Sequence, residues 1–250
     1  MATPDLATAP SATIALITGA NKGIGFETAR QLGERGLTVL VGARDEGRGE
    51  AAVAALTAEG LDARAVRLDV TDEESVKAAA AWVADTFGRL DVLVNNAGIL
   101  VDAGQPVTET TAAQVRETYE TNVFGLVAVT RAMIPLLARS RGGRIVNLSS
   151  NLGSLGINTG QPERLAAFQM LAYGSSKAAV NALTILYANA LRGHGIKVNA
   201  VEPGFVATDI NNHAGPGTAR EGAQIVVRLA TVGDDGPTAT FQSAAGPVPW

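Results

Sequence analysis

The chain has 250 residues, 46% of them hydrophobic, enough to bury one full core, and α/β chains of this length commonly form a single domain. Its 20 Lys and Arg against 24 Asp and Glu leave a net charge of -4 with no basic block, which argues against nucleic acid, and charged or turn residues interrupt every apolar run, which argues against a membrane span. With no cysteine and two isolated histidines, disulfides, thiolate sites and histidine-rich metal sites are excluded, and the cytoplasm is the expected compartment.

Residues 1–12 lack the basic and apolar regions of a secretory signal and read as a flexible leader to one domain over 13–250. From Thr13 onward short β-branched runs alternate with longer helical stretches. Strands are expected at 13–18, 38–43, 63–68, 92–95, 144–148, 197–201 and 239–242, and helices near 24–35, 46–59, 72–87, 111–139, 172–192 and 218–231. This rhythm predicts an α/β, doubly wound fold whose seven-stranded, mainly parallel sheet is flanked by helices. Ligands of such sheets bind at the carboxyl ends of the strands.

The first strand runs into Thr18-Gly19-Ala20-Asn21-Lys22-Gly23-Ile24-Gly25 and then a helix. Glycines there let the backbone turn sharply and approach a pyrophosphate, whose charge the free amides of a helix start favour. A dinucleotide site needs an acid about 20 residues on for the ribose hydroxyls, or a cation for a 2′-phosphate. Ala43 ends the second strand where the acid would sit, and Arg44 follows; Lys22 adds a second cation, so NADP(H) is expected, with Asp45 the argument for NAD. After the third strand, Asp69 and Val70 are placed for the adenine, with Thr71 the expected cap of the next helix. Asn96, Ala97 and Gly98 follow the fourth strand near the cofactor ribose, whereas Asn95 is given a structural role.

Strand five ends at Ser149 and Ser150, either of which could hydrogen-bond a substrate oxygen. Tyr173 and Lys177 lie four residues apart on one helix face, and a neighbouring ammonium favours phenolate. Between Ser150 and Tyr173, residues 156–170 read as an inserted loop, and Phe168, Met170 and Leu171 at its end suit either a substrate pocket or core packing. The Asn-, Gly- and Pro-rich stretch 210–218 suits a mobile lid, with His213 in it solvent-exposed rather than catalytic. His194 reads as a helix-end residue, and the tail 246–250 as folding back through Trp250 or disordered.

Taken in order, TGANKGIG at 18–25, NNAG at 95–98, Asn122-Val123-Phe124-Gly125, the serine of strand five, YGSSK at 173–177 and Glu202-Pro203-Gly204 resemble the short-chain dehydrogenase/reductase family from Thr13 to Trp250. The resemblance implies a Rossmann fold and a catalytic tetrad of Asn122, Ser150, Tyr173 and Lys177, the serine being the second of its pair. It implies that Tyr173 exchanges the proton, that Lys177 also binds the nicotinamide ribose, and that Asn122 holds a relay water. Residues 203–208 would pass the nicotinamide, with Pro203, Gly204, Val206 and Thr208 as contacts. The insertion is about ten residues beyond the usual length and, with NKGIGFE, resembles the carbonyl-reductase branch; a monomer is then preferred to a homodimer or homotetramer. The implied function is NADPH-dependent reduction of a ketone or aldehyde. An NAD-dependent secondary-alcohol dehydrogenase and a non-catalytic NADP-sensing binding protein are the alternatives.

Overall fold

A computed structural model of the chain describes residues 13–161, 163 and 168–250; the expected leader at 1–12, and 162 and 164–167 of the insertion, lie outside the described residues. The strands are β1 (Ile14–Thr18), β2 (Thr38–Ala43), β3 (Ala63–Arg67), β4 (Val92–Asn95), β5 (Arg144–Leu148), β6 (Lys197–Glu202), β7 (Phe241–Ser243) and β8 (Gly246–Pro247). The helices are α1 (Gly23–Gly33), α2 (Glu46–Ala58), α3 (Glu73–Phe87), α4 (Ala112–Tyr119), α5 (Leu126–Leu137), α6 (Leu155–Gly160), α7 (Leu171–Ala190) and α8 (Ala219–Ala230).

The sheet order is β3-β2-β1-β4-β5-β6-β7-β8, parallel except for β8. Every residue of β1, β2, β4 and β5 is buried, as a parallel sheet covered on both faces requires, while the edge strand β3 is largely part-exposed. Alternation along the strands divides the core. Leu16, Leu40, Leu93, Ile145 and Val198 pack under α3, α5 and α7; Ile17, Val41, Val94, Val146 and Val201 pack under α1, α2 and α8. The chain reverses direction across the sheet between β1 and β4, which opens the ligand crevice over their carboxyl ends.

The structure departs from expectation at several elements. The seventh strand starts at Phe241 rather than Ala239, because Ala239 has φ 56 and cannot continue an extended run, and β8 makes an eighth strand. The tail folds back as one of its two readings had it: the Trp250 ring stacks on Phe241 at 5.8 Å, and the Trp250 carbonyl accepts the Gly156 amide. The cap of α3 is Asp72, whose carboxylate accepts the Glu74 amide; Thr71 instead donates its amide and hydroxyl to Asp69. The helix expected at 111–139 is broken by a π-turn at Glu120–Gly125. Residues 112–137 still make a rod long and apolar enough by length and composition to cross a bilayer, contrary to the expectation that no run is, and half of its most apolar stretch is buried within the fold.

Candidate active site

Most of the expected cofactor residues line one open groove of about 610 Å³ over the ends of β1, β2, β4 and β5. Gly19 and Gly23 have φ 62 and 60, a conformation that side-chain-bearing residues rarely adopt, and Asn21, Lys22 and Ile24 fill the turn between and beyond them. Gly25 lies behind the groove, where an added Cβ would come within 2.5 Å of Asn96 Nδ2. Asn96 holds the turn in place, its Nδ2 donating to the carbonyls of Thr18 (2.7 Å) and Gly19 (3.1 Å). Asn95 is structural as expected: its Nδ2 donates to Thr130 and Asn147, and Asn147 donates in turn to Thr184, a buried polar line from α5 through β4 and β5 to α7.

At the outer end of the groove stand Arg44 and Arg48, both exposed. Arg48, one turn into α2, is a cation the sequence reading missed, because nothing local distinguishes it from a surface arginine. Asp45, the residue that favoured NAD, caps α2 by accepting the Arg48 amide at 2.8 Å. Lys22 is held by Asp209 across the groove, an exposed contact that also lowers the Asp209 carboxyl below its usual range. Asp69 and Val70 line the groove, and Asp69 Oδ1 is taken by Thr71. Ala97, Gly98, Pro203 and Thr208 complete the wall. Val206 does not join it. It is buried against Gly217 and Gly222, which suits a packing role better than the expected cofactor contact. Gly204 donates its amide to Glu202.

Tyr173 and Lys177 line the inner end of the groove, whereas Ser150 follows groove-lining Ser149 and Asn122 stands behind Gly98, neither of them in the groove wall. Ser149 and Ser150 separate by burial: Ser149 Oγ donates to Asn181 Oδ1 at 2.6 Å inside the core. Ser150 Oγ accepts the Leu152 amide at 3.2 Å, which leaves its own proton to donate. The turn after Ser150 lies directly on α7, since a Cβ on Gly153 would fall 2.5 Å from the Lys177 backbone. Lys177 is 5% exposed, its Nζ donating to the Leu148 carbonyl at 2.8 Å and lying 5.4 Å from the Tyr173 ring centre. Burial pulls the Lys177 ammonium down to about 8 against an opposing pull from Glu202. Burial, reinforced by the Glu202 charge, pushes the Tyr173 phenol well above its usual value. This is opposite to the expected drift of Tyr173 toward phenolate, since burial and the Glu202 charge both favour the phenol. Asn122, inside the π-turn, spends its amide on fixing the loop after β4: Oδ1 accepts the Ile99 amide, and Nδ2 donates to the Ile99 carbonyl and Ser176 Oγ. Gly98 sits between it and Lys177: a Cβ there would crowd Asn122 Oδ1 at 3.3 Å and touch Lys177 Nζ at 3.6 Å.

Asp102 escaped the sequence reading altogether. It is 1% exposed, and its carboxylate accepts the first-turn amides of α7, Ala172 at 2.7 Å and Tyr173 at 3.3 Å. It caps a helix from 70 residues away, so no local spacing signals it. Asp102→Ala is expected to lower Tm by about 3–8 °C through the orphaned amides. It should also cut turnover roughly tenfold or more by loosening Tyr173. Calorimetry and initial rates check both, and an unchanged kcat would show that Tyr173 is held without it.

Two expected loops take more definite form. The stretch around 210–218 is tied internally, Asn211 Nδ2 donating to the carbonyls of Val206 and Ala214, with Val206 and Gly217 bridged. His213 is exposed, its ring meeting the exposed Asp209 and its amide donating to the Thr208 carbonyl, in keeping with a non-catalytic role. His194 ends a short helical turn that Gly195 terminates with φ 68. Phe168 packs edge-on against Phe205 at 5.5 Å, and with Met170 and Leu171 lines a smaller cavity of about 250 Å³ that neither Tyr173 nor Ser150 reaches.

Residues 13–219 match the family model described as short chain dehydrogenase. The (-)-isopiperitenone reductase of Mentha piperita is 35% identical over 91% of this chain and 95% of its own. The NADPH carbonyl reductase 1 of Sus scrofa is 34% identical over 95% and 94%. Among solved structures, an NADPH-bound carbonyl reductase from chicken fatty liver superimposes with a TM-score of 0.83 at 28% identity, covering 96% of this chain and 99% of that one.

Proposed function

The chain belongs to the short-chain dehydrogenase/reductase family, in its carbonyl-reductase-like branch, and from that premise we propose that this oxidoreductase uses NADP(H) to interconvert a ketone or aldehyde with its alcohol. The observation that carries the reading is a single groove with the Tyr173 phenol and the Lys177 ammonium at its inner end, Ser150 directly following groove-lining Ser149, and at its outer end Arg44 and Arg48, which have no side-chain partner among the described residues. The cofactor preference rests on charge. Ala43 closes β2 with no carboxylate for a ribose, Asp45 is occupied as a helix cap, and Arg44 and Arg48 suit a 2′-phosphate. The NADPH carbonyl reductase of pig and the NADPH-bound structure from chicken liver support the same choice.

Bound nicotinamide supplies the hydride in reduction and accepts it in oxidation. The chain's own residues manage the oxygen. Ser150 donates its free proton to the carbonyl oxygen and Tyr173 donates a second hydrogen bond, so that charge developing on the oxygen meets donors already in place. Tyr173 then transfers its proton to that oxygen. Lys177, fixed on the Leu148 carbonyl, stabilises the tyrosinate left behind and offers its remaining donors to a ribose. Asp102 and Asn122 keep α7 and the Gly98 loop in register with this centre. Oxidation runs the same steps in reverse, with Tyr173 as base. Ile99, Leu100 and Ile210 along the groove favour substrates with an apolar body. A monomer is part of the reading, since α6 lies beside the first turns of α7; light scattering at twice the chain mass would replace it with a dimer.

An initial-rate screen of ketones, quinones and aldehydes with both cofactors tests the proposal. NADPH is expected to give the higher kcat/KM. Arg44→Asp should move the NADPH-to-NADH ratio of kcat/KM toward NADH by roughly 100-fold, from the lost charged hydrogen bond and the repulsion that replaces it. A ratio that favours NADH in the parent and ignores Arg44 would establish the NAD-dependent alcohol dehydrogenase instead.

A further inference from the structure

Glu202 is the buried carboxylate at the end of β6, 7% exposed, and no step of the proton transfer above uses it. Its two oxygens are placed with purpose. Oε2 accepts the Asn151 amide at 2.6 Å, one residue past Ser150, and Oε1 accepts the Gly204 amide at 3.0 Å, one residue past Pro203. The side chain therefore ties the turn bearing the substrate hydroxyl to the turn forming the opposite wall of the groove.

Strand geometry gives its direction. Val201 packs in the core under α1, α2 and α8, whereas Val198 packs in the core under α7, so alternation turns Glu202 toward α7. In the β5–β6 register Leu148 lies opposite Val201, and the Leu148 carbonyl is the acceptor that holds Lys177 Nζ. Glu202 is thus one strand position from the ammonium's anchor, on the ammonium's side of the sheet.

We propose that Glu202 is a positioning residue of this active site: it braces the two turns that frame the substrate and sets a fixed negative charge against the Tyr173–Lys177 pair. The charge acts on both members in one direction. It favours the ammonium over the free amine at Lys177 and the phenol over phenolate at Tyr173, which is the protonation state a reductase needs before each turnover. The other groups around the pair do not duplicate it. From the first turns of α7 come Tyr173 and Lys177, with Tyr187 farther along the helix and Asp102 committed to the helix amides. The ends of β4 and β5 bring Asn95, Asn96, Ser149 and Ser150, and the π-turn brings Asn122, none of which titrates, while Arg116 and Glu117 of α4 and Glu120 of the π-turn are exposed. Lys22, Asp209 and His213 stand across the groove in solvent, each more than half exposed. The opposing pull of Glu202 on Lys177, and its reinforcing pull on Tyr173, agree with this placement.

The proposal's catalytic consequence rests on the carbonyl-reductase reading, but its decisive test does not. In protein labelled at lysine, where only Lys22, Lys77, Lys177 and Lys197 report, the Lys177 resonance is assigned with Lys177→Met and titrated without substrate. Parent Lys177 is expected to titrate near 8. In Glu202→Gln, or in Glu202→Ala if the glutamine variant does not fold, the midpoint should fall by about one pH unit or more. Glu202→Asp, which keeps the charge, should move it by less than half as much. In the same neutral variants the alkaline limb of the reductive kcat profile should move to lower pH with it. A folded neutral variant in which Lys177 keeps the parent midpoint overturns the proposal, whether or not the protein reduces carbonyls. A parent that titrates as expected yet turns over no carbonyl would overturn the activity instead.

Discussion

Tyr173→Phe is expected to retain cofactor binding and lose at least about 1,000-fold in kcat, toward the upper end of what general acid catalysis contributes. The phenol oxygen has no partner among the described residues that a phenylalanine would strand, and the ring lies over Lys177 Nζ, so the ring itself should stay where it is. What disappears is the proton donor. Ser150 can still hydrogen-bond the substrate oxygen, but its own proton is held far too tightly to be given up at neutral pH. Cofactor titration by fluorescence and single-turnover rates separate the two quantities. A variant that binds NADPH and retains more than a tenth of parental kcat would remove Tyr173 from the chemistry.

Lys177→Met should cost roughly 100- to 1,000-fold in kcat and, unlike the tyrosine variant, should change how stability depends on pH. Lys177 titrates at about 8 in the folded chain against 10.5 when exposed. Between those values the unfolded chain binds a proton that the native state has released, so stability rises with pH across that window and is least below it. The full span is on the order of 3 kcal/mol. Urea unfolding of the parent between pH 8 and 10 should therefore show an upward contribution that the methionine variant lacks. Equal slopes in the two proteins would mean that Lys177 is not held in the low-dielectric site described above.

These two residues were legible in the sequence because the helix fixes their relation: four residues apart on α7 is one face, whatever the tertiary setting. The glycine turn was legible for a similar reason, since Gly19 and Gly23 take conformations that only local chemistry dictates. The strands from β1 to β6 were placed within a residue, β7 was expected two residues too early, and the two-residue edge strand β8 was not expected. What could not be read were relations across the chain. Asp102 meets α7 across 70 residues, Arg48 becomes a groove residue only when α2 packs beside β2, and the π-turn at Asn122 leaves an unbroken helical pattern in the letters. The direction of the Tyr173 shift was misjudged for the same reason. Spacing shows the ammonium beside the phenol but not the protein that dries them both.

The polar line from Thr130 through Asn95 and Asn147 to Thr184 has a consequence for assembly of the sheet. An apolar layer of Val, Leu and Ile is nearly indifferent to a shift of one strand along its neighbour by two residues, which keeps the same faces inward. The Asn95–Asn147 bond between β4 and β5 is not, because such a slip would part the two amides inside the core. The line works as an indexing pin through the middle of the molecule, so the ends of β4 and β5, with Gly98 on one and Ser150 on the other, come out at the same height on every copy that folds.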